Sequence, residues 1–280
     1  MIGKKKFTFG IIGCGNIGNA IASGLIKYAS IPPEKICAND TDKSKAKDFS
    51  KKFGIQLLDN TELVKNSRFT IIAVKPKDIP ELFQNISSSI DSDSILISVA
   101  AGVTIDSIKK MSGKNIPVIR FMPNICIGYG KGLVGYCSKG VSRKTMDDVL
   151  TIFSKTGFCF RVKESDMFFA TAVAGSGPGF LFYLAEIIYD TLRKRGFSKK
   201  VAIKLLAYLF EGTGIMLEKS SESPLLLKEK VCSPGGTTLA GLSKMSERNF
   251  SEIINAALQA AEERAFELSQ QKLKKRRSHE

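Results

Sequence analysis

The chain has 280 residues, 43% hydrophobic and 25% charged, and carries a net charge of +15. That length is enough to bury one large core or two modest ones. Its one histidine, His279, is next to the last residue, so a histidine base, a histidine-held metal or a Ser-His-Asp triad is excluded from the folded body.

No apolar run approaches the roughly 20 residues that span a bilayer. Met1-Ile-Gly-Lys-Lys-Lys6 leads directly into a strand-like run without an apolar signal segment, so the expectation is a cytoplasmic chain with no membrane partner. The six cysteines (Cys14, Cys37, Cys126, Cys137, Cys159, Cys232) form no C-x-x-C pair. They read as small buried hydrophobes in a reducing compartment, and no metal site is expected. A basic balance suggests nucleic acid or other anions. Dense runs occur only at Lys4–Lys6 and Lys272–Arg277, without interleaved aromatics, so no nucleic-acid partner is expected and an anionic cofactor suits the field better.

Phe7–Ile12 is β-rich. Gly13-Cys14-Gly15-Asn16-Ile17-Gly18 follows at once, then an apolar-periodic helix over Ala20–Tyr28 and a second strand at Ile36–Asn39. This is G-x-G-x-x-G between strand and helix in a unit of about 30 residues, the pattern that binds a dinucleotide. Its glycines serve the tight turn, the approach of the pyrophosphate to the backbone, and the packing of helix on strand. Next comes Asn39-Asp40-Thr41-Asp42-Lys43. An acid here binds the ribose hydroxyls of NAD, whereas basic or small polar groups admit the 2′-phosphate of NADP. With Asp40 beside Lys43 and Lys45, NADPH and NADH both stay open.

Alternation continues with a helix at Lys47–Phe53, a strand at Phe69–Val74, a helix at Ile79–Ile90 and a strand at Ser94–Val99. A helix at Ile105–Met111 and a strand at Pro117–Phe121 follow. Strands at Leu133–Tyr136 and Cys159–Val162 flank a helix at Ser142–Ser154. The pattern predicts an α/β fold with a parallel sheet. Ala73-Val-Lys-Pro76 and Ser98-Val-Ala-Ala-Gly102 stand at strand ends, where such sheets hold ligands.

From about Glu164 no strand is evident. Asp166–Ala174 reads as helical, Gly175-Ser-Gly-Pro178 as a break, and Gly179–Lys194, Ser198–Lys219, Ser223–Val231 and Phe250–Leu273 as helices. Small residues line the last of these (Ala256, Ala257, Ala260, Ala261, Ala265), a face suited to subunit packing. Two domains are expected: residues 1–163, dinucleotide-binding, and 164–280, all-α and dimerising. In Ser233-Pro-Gly-Gly-Thr-Thr238 the serine reads as an N-cap with proline at the first helical position. The stretch is either an ordinary capped turn or a carboxylate or phosphate site built on free N–H groups and hydroxyls.

Six motifs in order, Gly13–Gly18, Ala73–Pro76, Ser98–Gly102, Arg120-Phe-Met-Pro-Asn124, Gly175–Pro178 and Ser233–Thr238, make the chain resemble the pyrroline-5-carboxylate reductase family over roughly residues 7 to 270. The resemblance implies a Rossmann domain and a helical dimerisation domain, with subunits interlocked as a dimer or in a larger ring. It implies that the parallel α/β sheet is of the Rossmann-type, doubly wound kind, and that Gly13, Cys14, Gly15, Asn16, Ile17, Gly18, Asn39, Asp40, Asn60, Ala73, Val74, Lys75, Ala100, Ala101 and Gly102 contact NADPH or NADH. It implies further that Ser233, Gly236, Thr237 and Thr238 hold pyrroline-5-carboxylate. The chain departs from the family pattern at Ile125-Cys126, where Thr-Pro is usual, at Lys230, where an amide is frequent, and at Asn39-Asp40.

The implied chemistry suits a chain without a histidine in its body. A ketone needs a general acid for the forming alkoxide. A cyclic imine is protonated before hydride arrives, so orientation, worth about 7–11 kcal/mol, carries most of the task. In that reading Thr238 is the catalytic residue, hydrogen-bonding the ring nitrogen. Two other readings compete. A β-hydroxyacid dehydrogenase needs a lysine on the helix opening the second domain, and Asp166–Ala174 has none. A non-catalytic dinucleotide-binding protein docking nucleic acid through Lys272–Arg277 predicts a degraded Ser233–Thr238.

Overall fold

The computed structural model describes residues 5–277, with side chains described to residue 270. Lys4, His279 and the side chains of the Lys272–Arg277 run lie outside the described residues.

Strand β1 (Phe7–Ile12) is followed by helix α1 (Asn16–Lys27) and strand β2 (Ile36–Asn39). Helix α1 begins four residues earlier than its apolar periodicity shows, because the polar first turn belongs to the glycine-rich loop. Helix α2 (Lys43–Phe53) also starts early: Asp42 accepts from the N–H groups of Ser44 and Lys45 as its N-cap. Strand β3 (Gln56–Leu57) and helix α3 (Asn60–Asn66) carry too few apolar residues for sequence periodicity to reveal them. The α/β order then runs β4 (Ser67–Ile72), α4 (Ile79–Ile86), β5 (Ile95–Ser98), α5 (Ile105–Ser112) and β6 (Val118–Pro123). It closes with β7 (Gly132–Lys139), α6 (Arg143–Phe153) and β8 (Gly157–Arg161).

Among the described residues these strands form one eight-stranded sheet in the order β3-β2-β1-β4-β5-β6-β7-β8. Neighbours pair in parallel except β6 with β7, which are antiparallel. Strands β1, β2, β4, β5 and β6 are almost entirely buried, as the middle of a parallel sheet covered on both sides requires. One apolar cluster joins Leu63, Leu82, Phe83 and Ile108 of α3–α5 to one face. The other joins Ile21, Leu25, Phe49, Val149 and Phe153 of α1, α2 and α6 to the opposite face. This is the doubly wound arrangement.

Beyond β8 every regular element among the described residues is helical: α7 (Met167–Ala170), a π-helical turn at Thr171–Ser176, α8 (Gly177–Lys194), α9 (Lys199–Ser220), α10 (Pro224–Lys230), α11 (Thr237–Glu247) and α12 (Phe250–Arg277). Gly175–Pro178 therefore does not break the helix, contrary to the reading of the sequence. Pro178 lacks an N–H and its ring crowds the carbonyl four residues back; a widened π turn accommodates both. One consequence is that Glu164–Lys194 is a single stretch long and apolar enough, by length and composition, to cross a membrane. The sequence had shown two shorter pieces.

Compactness divides the chain into one unit reaching Ser176 and including the chain from Gln259 onward, and a second, Gly177–Leu258. Within the first, Phe168 meets Phe266 of α12 edge-on at 5.5 Å. In the second, Ala202 and Leu206 are the buried apolar residues among those described, while Leu181, Phe182, Tyr183, Ile187, Tyr208 and Leu209 are exposed. So much uncovered apolar surface calls for a partner surface.

Candidate active site

In the register of the sheet, Ile12 pairs with Asn39 and with Ile72, and Ile72 pairs with Ser98. The C-terminal ends of β2, β1, β4 and β5 are therefore level, and the loops following them open at one edge. The chain builds β2 and β3 on one side of β1 and then crosses to β4 on the other, so a switch point, where such sheets bind ligands, lies at β1.

The loop after β1 is shaped by its glycines. Gly13 has φ +110, and a Cβ there would stand 2.6 Å from the Ala73 carbonyl oxygen. A Cβ on Gly18 would fall inside van der Waals contact of the Gly13 carbonyl oxygen, whereas one on Gly15 meets nothing within 4 Å. Two glycines thus serve packing, and the third leaves open space above the loop. Helix α1 has Gly15 at its N-cap and no side-chain cap. Its first intrahelical bond runs from Asn19 N to Gly15 O (2.9 Å), so the N–H groups of Asn16, Ile17 and Gly18 come before the ladder. In contrast, Asp42, Asp59, Thr104 and Ser142 cap α2, α3, α5 and α6. An uncapped helix start at a switch point fits a dinucleotide pyrophosphate.

The structure brings the other sequence-chosen residues of this half to the same edge. Asn39, buried at the end of β2, donates from Nδ2 to Asn60 Oδ1 (2.8 Å). Asp40 Oδ2 accepts from Cys14 N (2.8 Å) and Oδ1 from Asp42 N (2.9 Å). Burial, with Asp40's charge adding to it, pushes the Cys14 thiol up to about 12, so Cys14 stays protonated beside the cofactor loop. Ala73 N donates to Ile12 O (2.8 Å), tying the Ala73-Val74-Lys75 turn to β1; Lys75 is exposed. Ala100 is buried and Ala101 half-buried. Gly102, at φ +70, lies so close to α12 that a Cβ would stand 3.0 Å from Ser269 N.

A buried ion pair lies behind that last loop. Arg120 of β6 is fully buried, and its Nη1 lies 3.4 Å from Glu164 Oε1. The same carboxylate oxygen accepts from Ile105 N (2.7 Å), at the head of α5. Arg120 Nε and Nη2 have no hydrogen-bond partner; desolvation pulls the guanidinium pKa down and Glu164 opposes that. The legible signal was an arginine inside the apolar strand Val118-Ile-Arg-Phe-Met122. Glu164→Ala removes both the counter-charge and the acceptor for Ile105. It is expected to cost about 3 kcal/mol of stability, because it strands a buried charge, whereas Arg120→Met should be nearly neutral. Denaturant titration of the two variants checks this, and equal losses would contradict it.

The second candidate region lies in Gly177–Leu258. Helix α11 starts at Thr237 with Gly236 as N-cap. Ser233 is therefore not an N-cap: Gly236 N donates to Ser233 O (2.9 Å) and Gly235 turns left-handed at φ +69, which ends any helix begun at Pro234. Ser233, Thr237 and Thr238 are exposed, and α11 has no side-chain cap. Ser198 and Ser223 do cap α9 and α10, so hydroxyls near α11 are spared the task they perform elsewhere. Lys230 is not aimed at a ligand: its Nζ sits 2.7 Å from both carboxylate oxygens of Glu222. At the other departure, Asn124 Oδ1 accepts from Cys126 N (3.1 Å) and Leu133 N (3.3 Å), so the turn is pinned without the usual proline.

Both halves match described families. Residues 164–268 match the model for pyrroline-5-carboxylate reductase dimerisation, and residues 8–102 that for NADP oxidoreductase, coenzyme F420-dependent. The chain is 33% identical to the pyrroline-5-carboxylate reductase of Methanosarcina acetivorans, covering 92% of this chain and 97% of that one. It is 31% identical to the enzyme of Corynebacterium melassecola, covering 93% and 98%. The chain belongs to the pyrroline-5-carboxylate reductase family. It also superposes on the solved Plasmodium falciparum pyrroline carboxylate reductase with NADP bound at a TM-score of 0.86, 29% identity and coverage of 95% and 100%. Membership makes it an oxidoreductase, and the exposed apolar helices are those of a region that self-associates.

Proposed function

We propose that the chain reduces the cyclic imine 1-pyrroline-5-carboxylate to L-proline with NAD(P)H, the last step of proline biosynthesis. The observation that carries the assignment of the site is the uncapped start of α11, with exposed hydroxyls at Ser233, Thr237 and Thr238. When bound, the dinucleotide supplies the hydride. Gly13–Gly18 hold its pyrophosphate; Asn39, Asp40, Asn60, Ala73–Lys75 and Ala100–Gly102 complete its bed. The main-chain N–H of Thr237 at the free start of α11, with the Ser233 hydroxyl and Gly236 leaving the approach clear of a side chain, holds the substrate carboxylate. Thr238 hydrogen-bonds the ring nitrogen, keeping the protonated imine oriented while electrons of the C=N bond settle on nitrogen.

In this reading residues 1–163 are the dinucleotide-binding domain and 164–280 the dimerisation and substrate domain, and subunits interlock as a dimer or a larger ring through α8–α12. The apolar Glu164–Lys194 stretch then meets a second copy of the chain, not a membrane. Lys5, ion-paired with Asp91 at 2.6 Å, serves the fold, not nucleic acid. The enzyme works in the cytoplasm. Incubation with pyrroline-5-carboxylate and either NADH or NADPH is expected to consume the dinucleotide and yield proline. No turnover with either would overturn the proposal.

A further inference from the structure

We infer that Asp40 makes this enzyme select the dinucleotide with a free 2′-hydroxyl, NADH, over the 2′-phosphorylated NADPH. The inference rests on the cofactor reading above. Asp40 is the first residue beyond β2, at the place where an acidic residue takes the adenosine ribose hydroxyl in this fold and a neighbouring arginine admits a 2′-phosphate.

Its side chain is not a solvated loop carboxylate. Oδ2 is held by Cys14 N, inside the glycine-rich loop, and Oδ1 by Asp42 N. The two N–H bonds fix the carboxylate between the ends of β1 and β2. Each oxygen keeps a lone pair for a hydroxyl. A phosphate at this place would bring about −1.5 to −2 of further charge against the Asp40 carboxylate.

Little nearby offsets that. No arginine lies between Ile36 and Asn66. Lys45 Nζ is paired with Asp42 Oδ2 at 3.1 Å, and Lys52 Nζ donates to Asn19 Oδ1 at 3.0 Å. Lys43 opens α2 and is the basic group nearest in sequence, but an ammonium is a point charge without the guanidinium fork that grips phosphate. Buried Asn39 is already bonded to Asn60. The charge at the ribose end is therefore set by Asp40.

The test is calorimetric titration of the intact protein with NADH and with NADPH at one ionic strength, for wild type, Asp40→Asn and Asp40→Ser. Wild type is expected to bind NADH at least about tenfold more tightly than NADPH. Both variants, with unchanged circular dichroism, are expected to bring that ratio down to near one. NADPH binding as tightly as NADH in wild type would overturn the inference without any variant, and so would a ratio that neither substitution moves. Binding of neither dinucleotide would overturn the cofactor reading itself, and this inference with it.

Discussion

Thr238→Ala is expected to lower kcat for pyrroline-5-carboxylate about 100-fold, the scale on which a positioned hydrogen-bonding group acts in a transition state. The loss should fall on kcat more than on KM, because the carboxylate contacts assigned to Ser233, Gly236 and Thr237 remain. Thr238 is the second residue of α11 and is exposed. It caps nothing, so its removal should leave the helix and the melting temperature close to wild type. Ser233→Ala, by contrast, should raise KM with a smaller effect on kcat, since it touches the part of the substrate that does not react. Steady-state kinetics of the two variants decide the matter. Thr238→Ala with wild-type kcat would remove this residue from the mechanism.

The second large effect concerns Gly18. A β-carbon there enters the space of the Gly13 carbonyl oxygen, and main chain cannot step aside as a flexible side chain can. Gly18→Ala is expected to push α1 off β1, to cost about 2–3 kcal/mol of stability, and to weaken dinucleotide binding at least about a hundredfold by displacing the helix start. Gly15→Ala is the informative control. Its backbone lies at φ −72, which alanine adopts freely, and its β-carbon would meet no protein atom within 4 Å. That variant should fold with near wild-type stability and lose affinity alone, because only the bound pyrophosphate contests the space. Thermal melts and dinucleotide titrations separate the two cases. Equal stability losses at Gly15 and Gly18 would refute the division of roles.

The dinucleotide half was legible because its signals are local. Gly13–Gly18 after a β-rich run, and small residues at the ends of β4 and β5, identify the loops from a few neighbouring residues each. The boundaries were less legible. Apolar periodicity sees a helix only where it is buried, so it missed the polar first turns of α1 and α2 and the short β3 and α3. Gly175–Pro178 misled for a related reason: proline and glycine break a helix only when no wider turn can absorb them, and a π turn does so here. Ser233 misled because Ser-Pro is a common helix start, and only the left-handed Gly235 moves that start to Thr237.

The sequence by itself determined the alternation of strand and helix, the glycine loop, the absence of histidine from the body, and the run of hydroxyls at Ser233–Thr238. Each of these is a property of adjacent residues or of composition. Only the tertiary structure decided which distant groups meet. It set Asp40 on Cys14, Asn39 on Asn60 and Arg120 beside Glu164, laid the end of α12 on Gly102, and turned Lys230 toward Glu222. Apart from Lys230 with Glu222, eight residues apart, those pairings depend on sheet register and helix packing across tens of residues, and no local pattern encodes them. They also convert a loop of mixed charge into a carboxylate held between the ends of β1 and β2.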